Sequence, residues 1–331
     1  MPVTTMTPTT KPMKMTRSRP HLSPGAGLPG PEYCAELAAI GAAIVWACAT
    51  WIYGQFGHRF SAMQLNIVKG VVASGMMLLV MPLIPMPDFE LSTNHFLILA
   101  ISGVIGIAIG DSAYFAALKR IGANKTLLLE SLAPPLSGVL ALMFLGAVLT
   151  LQSWLGVVIT TLAVTFVVFQ PSKSASGDSN DKAEWGGIGY GLVASVCQAS
   201  GVVISHYALV AGDIPPLLGA LIRLTIGVSV VMLIIPFVEK KPYSSIKRDL
   251  WEMTKLDKLW LLGAIFVGTF LALWLQQVAL KNANPAVAQT LIATSPVFIL
   301  VIYALKGEKV SKQSVIGTLV ALAGISLFFY Q

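Results

Sequence analysis

Charge is the scarcest feature of this chain. Only 11% of its 331 residues are Asp, Glu, Lys or Arg, while 55% are hydrophobic. An average soluble domain carries about 25% charged residues. A soluble fold of this size cannot hide so much apolar surface, which excludes a soluble enzyme, a disordered protein and a nucleic-acid binder. Cysteine is scarce too. Cys34, Cys48 and Cys197 are too few and too apolar in setting for a disulfide framework or a metal site, and they read as small membrane-embedded residues. The catalytic signatures are missing: no Gly-rich phosphate loop at a strand–helix junction, no paired metal-ligand spacing and no Gly-x-Ser-x-Gly motif. No enzymatic activity and no cofactor are therefore expected. The first 30 residues, rich in Thr, Pro, Ser and Lys/Arg, hold no apolar run, h-region or cleavage site. Residues 1–34 are expected to be a disordered tail.

What the chain does have is long apolar stretches. A transmembrane helix needs about 20 mainly apolar residues. Ten such stretches follow one another at 36–55, 62–83, 95–118, 126–146, 151–169, 186–206, 215–237, 259–280, 286–305 and 313–330. Their connections are mostly short and carry turn or charged residues, such as Gly57-His58-Arg59 and Lys119-Arg120-Ile121-Gly122. The sequence therefore reads as an all-α polytopic membrane protein with ten transmembrane helices. The longest connections are 170–185, a Ser/Asp/Lys-rich linker centred on 171–182, and 238–258. The latter holds Trp251 and Met253 among its charges, as a surface-lying amphipathic helix does.

The chain also repeats itself. Ala35-Glu36-Leu37-Ala38-Ala39-Ile40-Gly41 matches Ala183-Glu184-Trp185-Gly186-Gly187-Ile188-Gly189. Further along, Lys69 pairs with Arg223, Pro82 with Pro236, Ala117-Leu118 with Ala279-Leu280, Pro135 with Pro296, and Gln152-Ser153 with Gln313-Ser314. The units are 35–170 and 183–331. Five spans per unit is an odd number, so the second unit must enter the membrane from the opposite side. Inverted repeats of this kind are typical of secondary transporters, with substrate bound near the midplane.

Tyr114, Ala117-Leu118, Pro135 and the later run of Ala279-Leu280, Pro296 and Gly307-Glu308 resemble the drug/metabolite transporter superfamily, EamA type, over about residues 35–331. The fourth helix of each half usually ends in Gly-Glu in that family; the second half has Gly307-Glu308, whereas the first has Gly146-Ala147. The resemblance implies a carrier of small metabolites without naming one.

Charged groups at bilayer depth cost at least about 2.5 kcal/mol on insertion scales and need a reason. Lys69, Asp111 and Glu130 fall near one membrane side, roughly 6–12 Å deep at 1.5 Å per residue. They form a candidate coupling or charge cluster. Two carboxylates close together in a low-dielectric site cannot both ionise cheaply, so the trio is able to hold one exchangeable proton. The rival reading is a static Lys69 ion pair with one acid, the other facing a water-filled cavity. Arg223, the repeat mate of Lys69, is expected near the opposite side in a structural or gating role. Pro135 and Pro296 fall mid-span, where proline kinks a helix and either hinges it or fixes its shape. Trp46, Thr50, Tyr53, Tyr114, Gln198, Trp274, Gln276 and Gln289 are candidate substrate-binding residues, because polar and aromatic groups in lipid seek partners or water. His58 and His206 at span ends read as helix-capping groups, and Gly106-x-x-x-Gly110 and Gly187-x-x-x-Gly191 as packing sites.

Orientation arguments conflict. The odd-numbered loops carry Arg59, Lys119, Arg120, Lys125 and a run of cations from Lys240 to Lys258, and the even loops carry only Lys281. The positive-inside rule then places both termini outside, whereas the family resemblance places both inside. The leading functional reading is a secondary transporter in the cell (inner) membrane. It moves small polar or amphipathic metabolites (amino acids, nucleobases or related compounds) outward by alternating access, with protons as a candidate coupling ion. The alternatives are uptake of quaternary ammonium or organic cations, which an aromatic cage with a carboxylate would serve, and a non-transporting membrane enzyme or scaffold. The expected partners are a small-molecule substrate and the lipid bilayer, with no nucleic acid, and the chain acts as a monomer or homodimer.

Overall fold

The computed structural model describes residues 31–84, 89, 91–145, 150–168, 181–282, 285–308 and 310–329. Most of the expected tail, the 171–180 part of the linker and Gly146-Ala147 lie outside the described residues. Every regular element among the described residues is helical. In chain order they are α1 (Pro31–Gln55), α2 (Ala62–Val80), α3 (Thr93–Gly103), α4 (Ser112–Glu130), α5 (Ala133–Leu145), α6 (Leu151–Val168), α7 (Asp181–Ala211), α8 (Pro216–Val238), α9 (Pro242–Glu252), α10 (Lys255–Ile265), α11 (Ala272–Asn282), α12 (Pro285–Ile292), α13 (Ser295–Leu305) and α14 (Lys312–Phe329). A short 3₁₀ turn extends α2 through Leu83. Among the described residues, seven helical stretches are long and apolar enough to cross a membrane, including Thr93–Glu130 and Lys255–Asn282. With so many apolar spans, this is an integral, multi-pass membrane protein.

Local sequence sets the ends of these helices. Ser61 and Gln64 cap α2 reciprocally, the Gln64 amide N–H donating to Ser61 Oγ at 3.1 Å and the Ser61 N–H to Gln64 Oε1 at 3.2 Å, which satisfies two orphan donors of the first turn. Ser92 and Thr254 cap α3 and α10 in the simpler way. The amphipathic helix expected within 238–258 is α9. It turns Ile246 and Leu250 toward the core and leaves Lys247, Arg248 and Trp251 exposed. Gly122 (φ 76°, ψ 170°) breaks the helical path of α4, in a backbone region open essentially to glycine alone. Gly307 (φ 73°) ends α13 in the left-handed conformation. The Glu308 N–H then closes back onto the Tyr303 carbonyl at 3.0 Å, so this Gly-Glu pair is a helix C-cap.

Two interruptions recur at matching places in the halves. Val104–Asp111, between α3 and α4, and Phe266–Leu271, between α10 and α11, are wider π-helical turns. Such turns are frequent at functional sites. The second interruption falls after α4 and after α12, where the chain stops being helical at Ser131-Leu132 and at Ala293-Thr294 before resuming as α5 and α13. This corrects the expected proline kinks. Pro135 and Pro296 lie in the first turn of a new helix, where a missing N–H costs nothing, rather than inside a continuous one. The carbonyls freed at the breaks are taken by hydroxyls: Ser131 Oγ donates to Leu128 O at 2.6 Å, Thr294 Oγ1 to Leu291 O at 2.6 Å and Ser295 Oγ to Ile292 O at 2.8 Å.

The halves pack by exchange. Helix α1 lies against α10 through α13, while α7 lies against α3, α4 and α5; α2 pairs with α8, and α6 with α14. Glycines permit the closest approaches. Gly106 and Gly201 meet backbone to backbone, and Gly191 faces Leu129, so both Gly-x-x-x-Gly stretches lie in helix contacts. A Cβ on Gly103 would lie 2.3 Å from the Arg223 carbonyl oxygen, whereas one on Gly75 would meet nothing within 4 Å. Gly103→Ala should therefore cost about 1–3 kcal/mol through overpacking and lower the thermal unfolding midpoint in detergent. Gly75→Ala should leave it unchanged or slightly raised. Equal midpoints for the two variants would contradict this α3–α8 contact.

Candidate functional site

The recurring interruptions enclose a cavity. Its empty volume is about 600 Å³, and Trp46 of α1, Lys69 of α2, Gly106 and Asp111 of the first π turn, Glu130 at the end of α4, Gln198 of α7, Arg223 of α8, Gly268 and Thr269 of the second π turn, and Gln276 of α11 all line it. A second cavity of about 400 Å³ shares Trp46, Glu130, Gln198 and Gln276 with the first, and adds Gln289 and the two helix breaks through Ser131, Pro134, Ser295 and Pro296. Glu130 and Trp46 thus stand where the two spaces adjoin.

All four membrane-depth charges of the sequence reading border the larger cavity. Arg223, expected near the opposite side, joins the other three there. Seven residues into a helix is about 10 Å of rise, so from either face of a core about 30 Å thick two long basic side chains span the remaining gap. The charges share this cavity without sharing one hydrogen-bond network. Lys69, which is 1% exposed, is ion-paired with Asp111, and its ammonium lies 4.9 Å from the Phe115 ring centroid. Glu130 is held separately, accepting a hydrogen bond from Trp46 Nε1 at 2.9 Å. Arg223, also 1% exposed, has Nε and Nη1 buried with no hydrogen-bond partner among the described residues.

The aromatic and hydroxyl candidates sort into wall and scaffold. Trp46 is wall. Behind it Tyr114 packs at a centroid distance of 5.2 Å, and the Tyr114 hydroxyl shares a hydrogen bond with Thr50 Oγ1 at 2.8 Å. Tyr53 is fully buried; its hydroxyl donates to the Ala264 carbonyl at 3.1 Å and contacts Thr269 Oγ1 at 2.8 Å. Trp274 packs on Phe270 at 5.9 Å. Thr50, Tyr53, Tyr114 and Trp274 are not among the residues lining the two cavities, whereas Trp46, Gln198, Gln276 and Gln289 are. Pro135 lines neither, while its neighbour Pro134 and its repeat mate Pro296 line the second.

Sequence reasoning missed the partners of the π turns. A π turn shifts the backbone bonding register and leaves carbonyls to be satisfied from elsewhere, which in lipid must come from protein. Asn66, fully buried on α2, donates to the Ile107 carbonyl at 2.8 Å and to Ser112 Oγ at 2.9 Å, on either side of Asp111. Tyr53 serves the second π turn in the same way. The only signal for Asn66 was an amide inside a span, two residues after Gln64 and three before Lys69. Also missed was Glu239, at the end of α8, which accepts from Ser61 Oγ at 2.5 Å and Gln64 Nε2 at 2.8 Å and so joins the two halves at the α2 cap. His206 is half-buried, with Nδ1 2.8 Å from the Leu280 carbonyl, matching the capping role read for it; His58 is exposed.

The apolar helices define a multi-pass membrane protein with charged side chains lining an internal cavity. The EamA-like transporter family model matches residues 34–169 and again 185–330. The chain belongs to the EamA-like transporter family. It is 25% identical over 292 residues to an uncharacterized transporter of Archaeoglobus fulgidus, covering 88% of this chain and 96% of that one. A crystal structure of a protein 14% identical to it superposes with a TM-score of 0.63 over 89% of this chain and 96% of the other; that likeness concerns the fold alone.

The Lys69–Asp111 pair yields a test. Lys69→Met leaves Asp111 without its partner. Breaking a buried pair costs about 3–5 kcal/mol, and the partial exposure of the Asp111 carboxylate, 21%, places this one at or below the lower end. The double variant Lys69→Met/Asp111→Asn should recover most of the lost melting temperature. Additive losses in the double-mutant cycle would mean that the two charges are not coupled.

Proposed function

We propose that this protein is a secondary transporter that moves small polar or amphipathic metabolites, such as amino acids, nucleobases or related compounds, out of the cell by alternating access. The observation that carries this reading is the larger cavity, where charged and amide side chains from both halves meet between interrupted helices. Discontinuous helices around a midplane cavity are how secondary transporters build substrate sites. The two matches to one family model support two repeats, and we read them as inverted five-helix units of ten spans in all, 35–170 and 183–331. Their cross-packing supplies the exchange by which each half offers the same surfaces to the other.

For energy coupling we propose Glu130 as the proton carrier. Asp111 is already engaged by Lys69, so the shared-proton trio reduces to one carboxylate at the junction of the two cavities, which accepts from the neutral donor Trp46 Nε1. Uptake of organic cations draws less support, since of the proposed cage only Trp46 lines the cavities.

Purified protein in liposomes, given labelled amino acids, nucleobases and a quaternary ammonium compound, should move at least one metabolite without ATP. An imposed pH gradient should drive it. Glu130→Gln should abolish the response to the gradient while leaving some exchange of substrate across the membrane, at a higher half-saturating concentration. Absence of flux for the whole panel argues against a carrier of these substrates. Flux indifferent to the gradient in the wild type, or a Glu130→Gln protein that still responds to it, removes the proton role and leaves facilitated transport.

A further inference from the structure

Resting on the carrier reading above, we propose that Arg223 is the substrate's anion receptor and that the substrate is a zwitterion of the amino-acid class, carrying one carboxylate and one ammonium group. An arginine buried to 1% exposure with two of its nitrogens unpartnered is an expensive arrangement, since an unpaired charge in low dielectric is destabilising by several kcal/mol in real proteins. Such a group persists where a ligand completes it. The side chain lines the larger cavity. Gly106 lines it as well, and a methyl group there would come within 3.1 Å of Arg223 Nη2, so glycine at 106 keeps that nitrogen clear of a side-chain contact.

The other charges narrow the ligand. A guanidinium fork binds carboxylate or phosphate in two-point fashion. A phosphate dianion needs a second free cation, and Lys69 is already held by Asp111. It would also meet the carboxylates of Asp111 and Glu130 on the same walls. A lone carboxylate meets one free cation. An ammonium group on the same molecule then finds Glu130, which borders both cavities. A neutral nucleobase would bring no charge to Arg223 beyond that of Asp111, which Lys69 already holds.

Thermal unfolding of the purified full-length protein, with leucine, threonine, phenylalanine, the corresponding decarboxylated amines, uracil and inorganic phosphate as probes, tests this together with flux in liposomes. At least one amino acid should raise the midpoint, and its amine should bind at least 10-fold more weakly. Arg223→Met and Arg223→Gln should lose amino-acid binding at least 10-fold, while their midpoints without ligand equal or exceed that of the wild type, because an unpaired buried charge has been removed. A structural arginine would give the reverse, so a lowered midpoint or failure to fold in both variants overturns the assignment. So does amino-acid binding that survives the substitutions. Uracil flux indifferent to Arg223, or displacement by phosphate, sinks the zwitterion assignment but keeps the carrier. No flux of any probe counts against the carrier reading itself.

Discussion

In a bilayer interior there is no water to accept a stray N–H or to donate to a stray carbonyl. A continuous helix meets that constraint by itself, and each departure from one has to be compensated by neighbours. Around the cavity the described residues depart at two π turns and at two full breaks. Each departure is matched by a polar side chain. Asn66 and Tyr53 serve the π turns, and Ser131, Thr294 and Ser295 serve the breaks. The cavity exists because these departures lie together, and the side chains that compensate them fix its walls.

Symmetry and asymmetry divide the work. The interruptions occur in both halves, so they belong to the shape of the repeat. The charges do not. Asp111 and Glu130 have apolar repeat mates in Leu273 and Leu291, and only the basic pair Lys69 and Arg223 is common to both halves. Lys69 has Asp111 beside it; Arg223 lacks the equivalent acid. One scaffold applied twice thus yields one neutralised cation and one open cation in the same space, a distinction that arises from a single Asp-to-Leu difference between the halves.

Much of the helix plan was legible in the sequence, because an apolar run long enough to span lipid has few alternatives. That Lys69, Asp111 and Glu130 fall at similar depth on one side was legible for the same reason, since charge in such a run is costly and must meet something; that Arg223 borders the same cavity was not. What the sequence hid were backbone events. Nothing in Val-Ile-Gly-Ile-Ala-Ile-Gly-Asp at 104–111 announces a π turn, and without it the purpose of Asn66 cannot be read. Tyr53 and Tyr114 looked like pocket residues because polarity in a span is visible, whereas direction around the helix is not. One turns to a carbonyl and the other to Thr50. The helix breaks were masked by their own prolines, which suit a kink and a fresh helix start equally well.

Helix α7 runs for 31 residues, from Asp181 to Ala211, or roughly 46 Å at 1.5 Å per residue, against a hydrocarbon thickness of about 30 Å. It cannot be accommodated upright within the core, so it leans or projects, and its Glu184 end is tied to Lys125 at 2.5 Å. A rod longer than the slab it crosses acts as a depth gauge. Sliding it one turn inward would pull Glu184 toward hydrocarbon, and sliding it outward would lift Ile188 toward water. Because α7 lies along α3, α4 and α5, a change in its tilt would be passed directly to the first half.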